Sequence, residues 1–327
     1  MASLKEIKTR IASVKNTLKI TSAMKLVSSA KLHKAQMAIE NLLPYSQRLD
    51  GIVSALMQAN ISVDKVQVDK LTRPCDTNPS STRQLVNSST ELKRVALVAI
   101  SSSASLCGGF NNNLIRLTQH VIDEYTGLGS NVLLIPIGRK VAQALAVNKN
   151  SVVNLSTESD YVSIGEKPTY AEAATLAAHL TELYLTGQVD RVEILYTHYK
   201  NMAVQTLTRK QFLPLEVQDS KSKVLDSKEQ SISLPSIEGE DGEGSPFILE
   251  PSAPELLSTL LPQALSMRLY AILLDSSAAE HAARTFAMQT ATDNGEALLQ
   301  ELNLQYNKGR QQAITNELLD IVGGQMR

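Results

Sequence analysis

A seven-residue repeat in the first sixty residues constrains this chain more than any other feature. Leu4, Ile11, Leu18, Lys25, Leu32, Ile39 and Val53 fall on one heptad position, and Ile7, Val14, Thr21, Ser28, Ala35, Leu42, Leu49 and Leu56 on the other. Such spacing puts one stripe on a helix, and that stripe must be covered by another helix. About 55 residues at a rise of roughly 1.5 Å make a rod some 80 Å long. A rod of this kind has little stability until its apolar face is packed. Thr21, Lys25 and Ser28 interrupt the apolar seam, and Pro44 removes a backbone donor. The sequence therefore predicts a rod that bends or splays, with a kink or local break at Pro44.

The far end of the chain supplies a partner. From Pro254 to about Val322 the pattern is again helical, with no proline after Pro262 and a seam through Leu265, Leu269, Ile272, Ala279, Ala283, Phe286 and Ala297. This second helix would reach roughly 100 Å, so one end should overhang. Ala and Ser are frequent between Ala271 and Ala291, which allows close approach of two helix backbones. Residues 1–34 carry eight Lys or Arg against Glu6 alone, whereas residues 275–320 carry seven acids against Arg284, Lys308 and Arg310. These opposite signs favour pairing of the two ends.

Between the rods, Arg94–Ser101, Asn131–Ile137 and Arg191–His198 are short runs rich in Val, Ile and Leu, and Thr206–Phe212 is a further candidate strand. Asn112–Tyr125, Lys140–Val147 and Tyr170–Leu185 have helical patterning. Their alternation with the strands predicts a small α/β layer fold. The expected divisions are 1–60 for the first helix, 91–217 for the α/β unit and 251–327 for the last helix, with linkers or insertions at 61–90 and 218–250. Within the latter, Gln218–Pro246 is rich in Ser, Glu, Asp and Gly.

Composition removes several function classes. With 32 basic and 33 acidic residues in 327, the chain is not a uniformly basic nucleic-acid binder. It has no Trp and four Phe, so aliphatic helix seams must bury much of its apolar surface. Cys75 and Cys107 are its two cysteines, too few for a disulfide framework and without metal-ligand spacing; a reducing compartment fits. The longest apolar runs, Val95–Ile100 and Val132–Ile137, are far shorter than the roughly 20 residues that span a bilayer. Because helical patterning begins almost at Met1, no signal or transit peptide is expected.

The most enzyme-like motif is Leu106-Cys107-Gly108-Gly109-Phe110-Asn111, between a strand and a helix, where phosphate loops occur. It lacks the spaced glycines of a dinucleotide loop and the Gly-Lys-Ser/Thr ending of a P-loop, and is better explained as a tight strand-to-helix turn. Cys107 has no His paired with it in the sequence pattern, so it reads as structural. His281, in Glu280-His281-Ala282-Ala283-Arg284, has no second His one turn away and is expected on the helix surface. The basic face from Lys5 to Lys34 lacks interleaved aromatics, which favours a solvated face or an acidic protein partner over nucleic acid. Arg310, Gln311 and Thr315 put polar groups on adjacent turns near the end of the last helix, either a hydrated face or a latch to a partner. A dinucleotide enzyme and a coiled-coil DNA-binding or scaffold protein are the rival classes. Binding of nucleotide by the isolated chain, or copurification with nucleic acid, would favour them.

Three blocks carry a family resemblance. The first runs from Ile7-Lys8-Thr9-Arg10-Ile11 through Ala23-Met24-Lys25-Leu26-Val27-Ser28 to Ala35-Gln36; the second is Leu106–Asn111. The third runs from Glu280 through Ala291-Thr292-Asp293-Asn294-Gly295, Tyr306-Asn307-Lys308 and Arg310-Gln311 to Gly323-Gly324. In content, order and position these blocks resemble the gamma subunits of F-type ATP synthases.

The resemblance implies an α/β fold class: a long antiparallel coiled coil of the N- and C-terminal segments plus a small Rossmann-like α/β domain. It also implies a rotary central stalk that couples ion flow through a membrane ring to ATP synthesis, without a catalytic site, cofactor or metal of its own. The implied partners are a ring of three alpha and three beta subunits, an epsilon subunit and the membrane c-ring, with one copy of this chain per complex and no nucleic acid. The implied location is peripheral, on the cytoplasmic side of the bacterial inner membrane. Met24 and Lys25 match the segment facing acidic lever loops of the beta subunits, and Arg310, Gln311 and Thr315 match a latch to the catalytic subunits. Where the family has an acid, a base and Gly before the Leu-Cys-Gly-Gly-Phe motif, this chain has Ser103, Ala104 and Ser105, so two loop charges are missing. No cysteine pair lies near residues 200–250, and no thiol switch is expected.

Overall fold

The structure, a computed structural model, describes residues 4–58, 94–146, 153–155, 161, 164–165, 168–215 and 253–324. The expected insertions, Cys75 and the side chain of Leu56 lie outside the described residues. Helix α1 spans Leu4–Gln58 and helix α5 spans Ala253–Gly324. Between them come β1 (Arg94–Ile100), α2 (Phe110–Gly127), β2 (Asn131–Ile137), α3 (Arg139–Ala146), β3 (Val153–Leu155), α4 (Tyr170–Leu185), β4 (Arg191–Tyr199) and β5 (Gln205–Leu213). Every predicted strand and helix is present. Among the described residues only the three-residue strand β3 was missed, being too short to show a period.

The two long helices pair antiparallel. Leu4 packs beside Gly309 and Leu18 beside Gly295; Thr21 meets Thr292, and Asp50 meets Arg268. The heptad positions from Leu4 to Val53 are all buried or half-buried, with their neighbours largely in solvent. This corrects the expected interruption. Thr21 accepts a 3.0 Å hydrogen bond from the Thr292 hydroxyl, and Ser28 is buried, so small polar groups fit the seam instead of opening it. Nor does Pro44 break α1. It lies on the exposed face, as does Glu40, whose carbonyl would otherwise bond residue 44 and here can take water.

On α5 the predicted seam holds from Leu265 to Ala283 and fails beyond. Phe286 and Ala297 are exposed; the covered positions are instead Met288, Thr292, Gly295, Leu299, Leu302, Tyr306 and Gly309. Residues up to Ala283 are buried on several sides, which obscures the phase of the repeat and shifts its extrapolation. The expected charge pairing is also corrected. Lys5, Lys8, Arg10, Lys15, Lys19, Lys31 and Lys34 are exposed, as are Asp293, Glu296, Glu301 and Glu317, so these charges lie on outer faces. The ion pair between Arg268 and Asp50 joins the helices with the signs reversed.

The α/β foot has one five-stranded sheet in the order β3-β2-β1-β4-β5, parallel except for β5. Central β1 is buried on both faces, which explains its unbroken apolar run. Val95, Leu97 and Ala99 face α2 and α3, whereas Ala96, Val98 and Ile100 face a core built with α4. That second core includes Leu49 and Val53 of α1 and Leu261–Leu273 of α5, so the shaft completes the foot. Helix α4 starts with a capping box in which Thr169 and Glu172 satisfy each other's backbone amides. At the β4–β5 hairpin, Asn201 Oδ1 accepts from the amides of Ala203 and Val204.

Candidate partner-contact surface

The candidate residues of α1 sit on two adjoining strips. Lys25 is a half-buried seam position, and Met24, one residue earlier, turns outward at 38% exposure. Ile20 and Val27 flank Met24 at helical spacing, with Leu26 nearby, and all three are more exposed still. Exposed apolar side chains amid lysines form a surface suited to a protein partner that is itself partly acidic.

The candidate residues of α5 lie beyond the last described residue of α1, Leu4. Past Gly309, which faces Leu4, the helix continues to Gly324, a further stretch of about 22 Å. Arg310, Gln311 and Thr315 are exposed there, with Ile314, Leu318, Leu319 and Ile321. The Thr315 hydroxyl donates 2.9 Å to the Gln311 carbonyl, leaving its oxygen lone pairs to accept from outside. The register that sets Thr21 against Thr292 puts Met24 near the level of Gln289, so the two candidate groups are separated by roughly 30 Å or more along the shaft. The fold places them at two levels of the shaft and does not bring them into one site.

The loop from Ser101 to Phe110 is a tight turn held from inside. Leu106 and Gly108 adopt positive φ of 67° and 59°, turning the chain from β1 into α2. Asn111 organises the turn: its Oδ1 accepts from the Ser102 amide at 3.1 Å, and its Nδ2 approaches Cys107 Sγ at 3.1 Å. Cys107 packs with Phe110, Ala279 and Ala283, and burial pushes its thiol above the usual range, as befits a structural residue. Above it, Arg284 donates to Glu280 at 2.8 Å and to the Ser102 hydroxyl at 3.4 Å.

His281 is buried in this junction, contrary to its expected surface position, because α5 is covered here by α1 and the foot together. Burial, then the positive charges of Arg284 and Lys31, lower its pKa to about 4. Spacing alone could not reveal this second cover. Among the described residues no group of three or more His, Cys, Asp or Glu could hold a metal ion.

A paired helical shaft on an α/β foot, with an exposed basic and apolar face, has the form of a stalk. A family model described as ATP synthase matches residues 3–326. The ATP synthase gamma chain of Phocaeicola vulgatus is 47% identical over 327 residues, covering all of both chains. The chain belongs to the ATP synthase gamma chain family. The fold is shared with a chain of the Tetrahymena thermophila mitochondrial ATP synthase central stalk/c-ring (TM-score 0.51, 17% identity, covering 83% of this chain and 99% of that one). It is shared also with one from the Euglena gracilis mitochondrial ATP synthase rotor (TM-score 0.52, 16% identity, 95% and 98% covered).

Proposed function

We propose that this chain is the rotary central stalk of its ATP synthase and couples ion flow to ATP synthesis without a catalytic site of its own. The observation that carries the mechanism is the asymmetric shaft: α1 offers lysines and the Ile20, Met24 and Val27 stripe, while among the described residues only α5 extends past Gly309. Inside a ring of three alpha and three beta subunits, a single shaft presents a different face to each beta subunit. Differential binding then biases each toward a different open or closed state, and rotation exchanges those states.

In this assignment Met24 and Lys25 meet acidic lever loops, and Arg310, Gln311 and Thr315 latch the tip to the catalytic subunits. The foot, residues 91–217, sits with an epsilon subunit and the c-ring, and each complex holds one copy of this chain. No helix among the described residues is long and apolar enough to cross a membrane. Attachment to the cytoplasmic side of a bacterial inner membrane would therefore come through the complex.

A pull-down from native membranes tests the assignment: alpha and beta subunits with ATPase activity should be recovered, and their absence sinks it. Within the purified complex, the Arg310→Ala, Gln311→Ala double variant should lower coupling between ATP hydrolysis and ion pumping about tenfold at most. Unchanged coupling would remove the latch.

A further inference from the structure

At the level where the shaft leaves the foot, one side chain touches every part of the junction. Tyr199 ends β4. Its ring packs against the interhelical cluster of Leu32, Ala35, Ala278 and Ala282, and also against the loop cluster around Cys107 and Phe110. Its hydroxyl accepts a 2.9 Å hydrogen bond from Gln36 Nε2 of α1. The carboxylate of Asp275, on α5, grips the same strand end twice: Oδ1 accepts from the Tyr199 amide at 3.0 Å, and Oδ2 lies 2.6 Å from His198 Nδ1. Asp275 is largely enclosed, with its side chain 17% exposed.

We infer that Tyr199, held by Asp275 and Gln36, is the torsional key through which the foot turns both helices of the shaft. The inference rests on the rotary reading above and adds a positioning residue to it. Packing between the foot and α5 is mostly apolar and therefore non-directional. A helix seated only on such a face can slip about its axis with small changes in buried area. Hydrogen bonds restrain direction as well as distance. Those from Asp275 and Gln36 tie one strand end to both helices, so neither helix can turn without the sheet. Asp275 also lies past the Leu261–Leu273 core and before the free shaft, where a twist entering from the foot must be handed on.

The test uses the complete membrane-bound complex and reads ions pumped per ATP hydrolysed, beside ATPase rate and subunit content. Tyr199→Ala and Asp275→Ala should each assemble and hydrolyse ATP yet pump about threefold less per ATP. Tyr199→Phe keeps the ring and both Asp275 contacts but loses the Gln36 bond to α1, so it should recover only part of the ratio, and Gln36→Ala should match Tyr199→Phe. An unchanged ratio in both alanine variants overturns the key. So does loss of assembly in Tyr199→Ala combined with a normal ratio in Asp275→Ala, which would make the junction structural only. A wild-type complex without ATPase activity would instead overturn the rotary reading.

Discussion

Between Leu261 and Ala283, α5 is covered on nearly every side; between Leu298 and Leu319 it shows solvent on every face but one. In the first stretch the helix is a core element of the foot, sharing Leu265, Leu269 and Leu273 with the sheet and α4. In the second it is half of a two-helix seam, with Leu302 the one buried residue. The contrast teaches that packing within the chain is divided unevenly along a single helix. The covered stretch anchors the shaft, and the uncovered stretch is left open by this chain on most of its surface.

The largest expected effect separates these environments directly. Leu269→Ala removes a fully buried side chain from a core that cannot collapse around it, and should cost about 3–5 kcal/mol in chemical denaturation. Leu302→Ala vacates a seam flanked by solvent, where water and neighbouring side chains can close the gap, and should cost about 1–2 kcal/mol. Equal losses would break the comparison.

The next effect is set by pH at the boundary of the two stretches. His281 has its pKa lowered to about 4 in the folded chain, so between there and its ordinary value the unfolded chain binds more protons. Stability from the neutral, buried ring is complete above about pH 6.5 and falls as pH drops toward 4, by up to about 3 kcal/mol. In His281→Gln this part of the slope should vanish while the rest of the acid titration persists. Denaturation midpoints of both proteins from pH 7 to pH 4 check it, and parallel curves would mean the ring is solvated.

The same division explains what was legible in the sequence. The α1 seam could be followed from Leu4 to Val53 because one partner helix covers one stripe and the heptad records it. The strands β1, β2 and β4 stood out because burial on both faces demands continuous apolar runs. The phase of α5 was lost at Phe286 because several neighbours cover the preceding turns and erase the period. His281 was misplaced for the same reason. Thr21 and Ser28 looked like interruptions because an apolar pattern cannot show that Thr292 supplies a hydrogen-bonding partner across the seam. The proposed partner-contact role of Met24 and Lys25 came from family resemblance and that of Arg310, Gln311 and Thr315 from resemblance and helical spacing, whereas the junction at Tyr199 joins residues far apart in sequence and needed the fold.

The smallest effect concerns how closely the free shaft is packed. Two seam positions on α5 are glycine, each beside a leucine of α1. A Cβ at Gly295 would lie 2.7 Å from Leu18 Cδ2, and one at Gly309 would lie 3.2 Å from Leu4 Cδ2. Alanine is favoured over glycine in a helix interior by about 1 kcal/mol. At Gly309 the neighbouring leucine is near the start of α1 and can shift by a few tenths of an ångström, so Gly309→Ala should stabilise by roughly 0.5–1 kcal/mol. At Gly295 the contact is tighter and lies within the paired length, so Leu18 must change rotamer and Gly295→Ala should be close to neutral, within about 0.5 kcal/mol. Thermal unfolding of the two variants decides the point. If Gly295→Ala gains as much as Gly309→Ala, the helices approach no more closely at Leu18 than at the shaft's end, and the glycine there has no packing role.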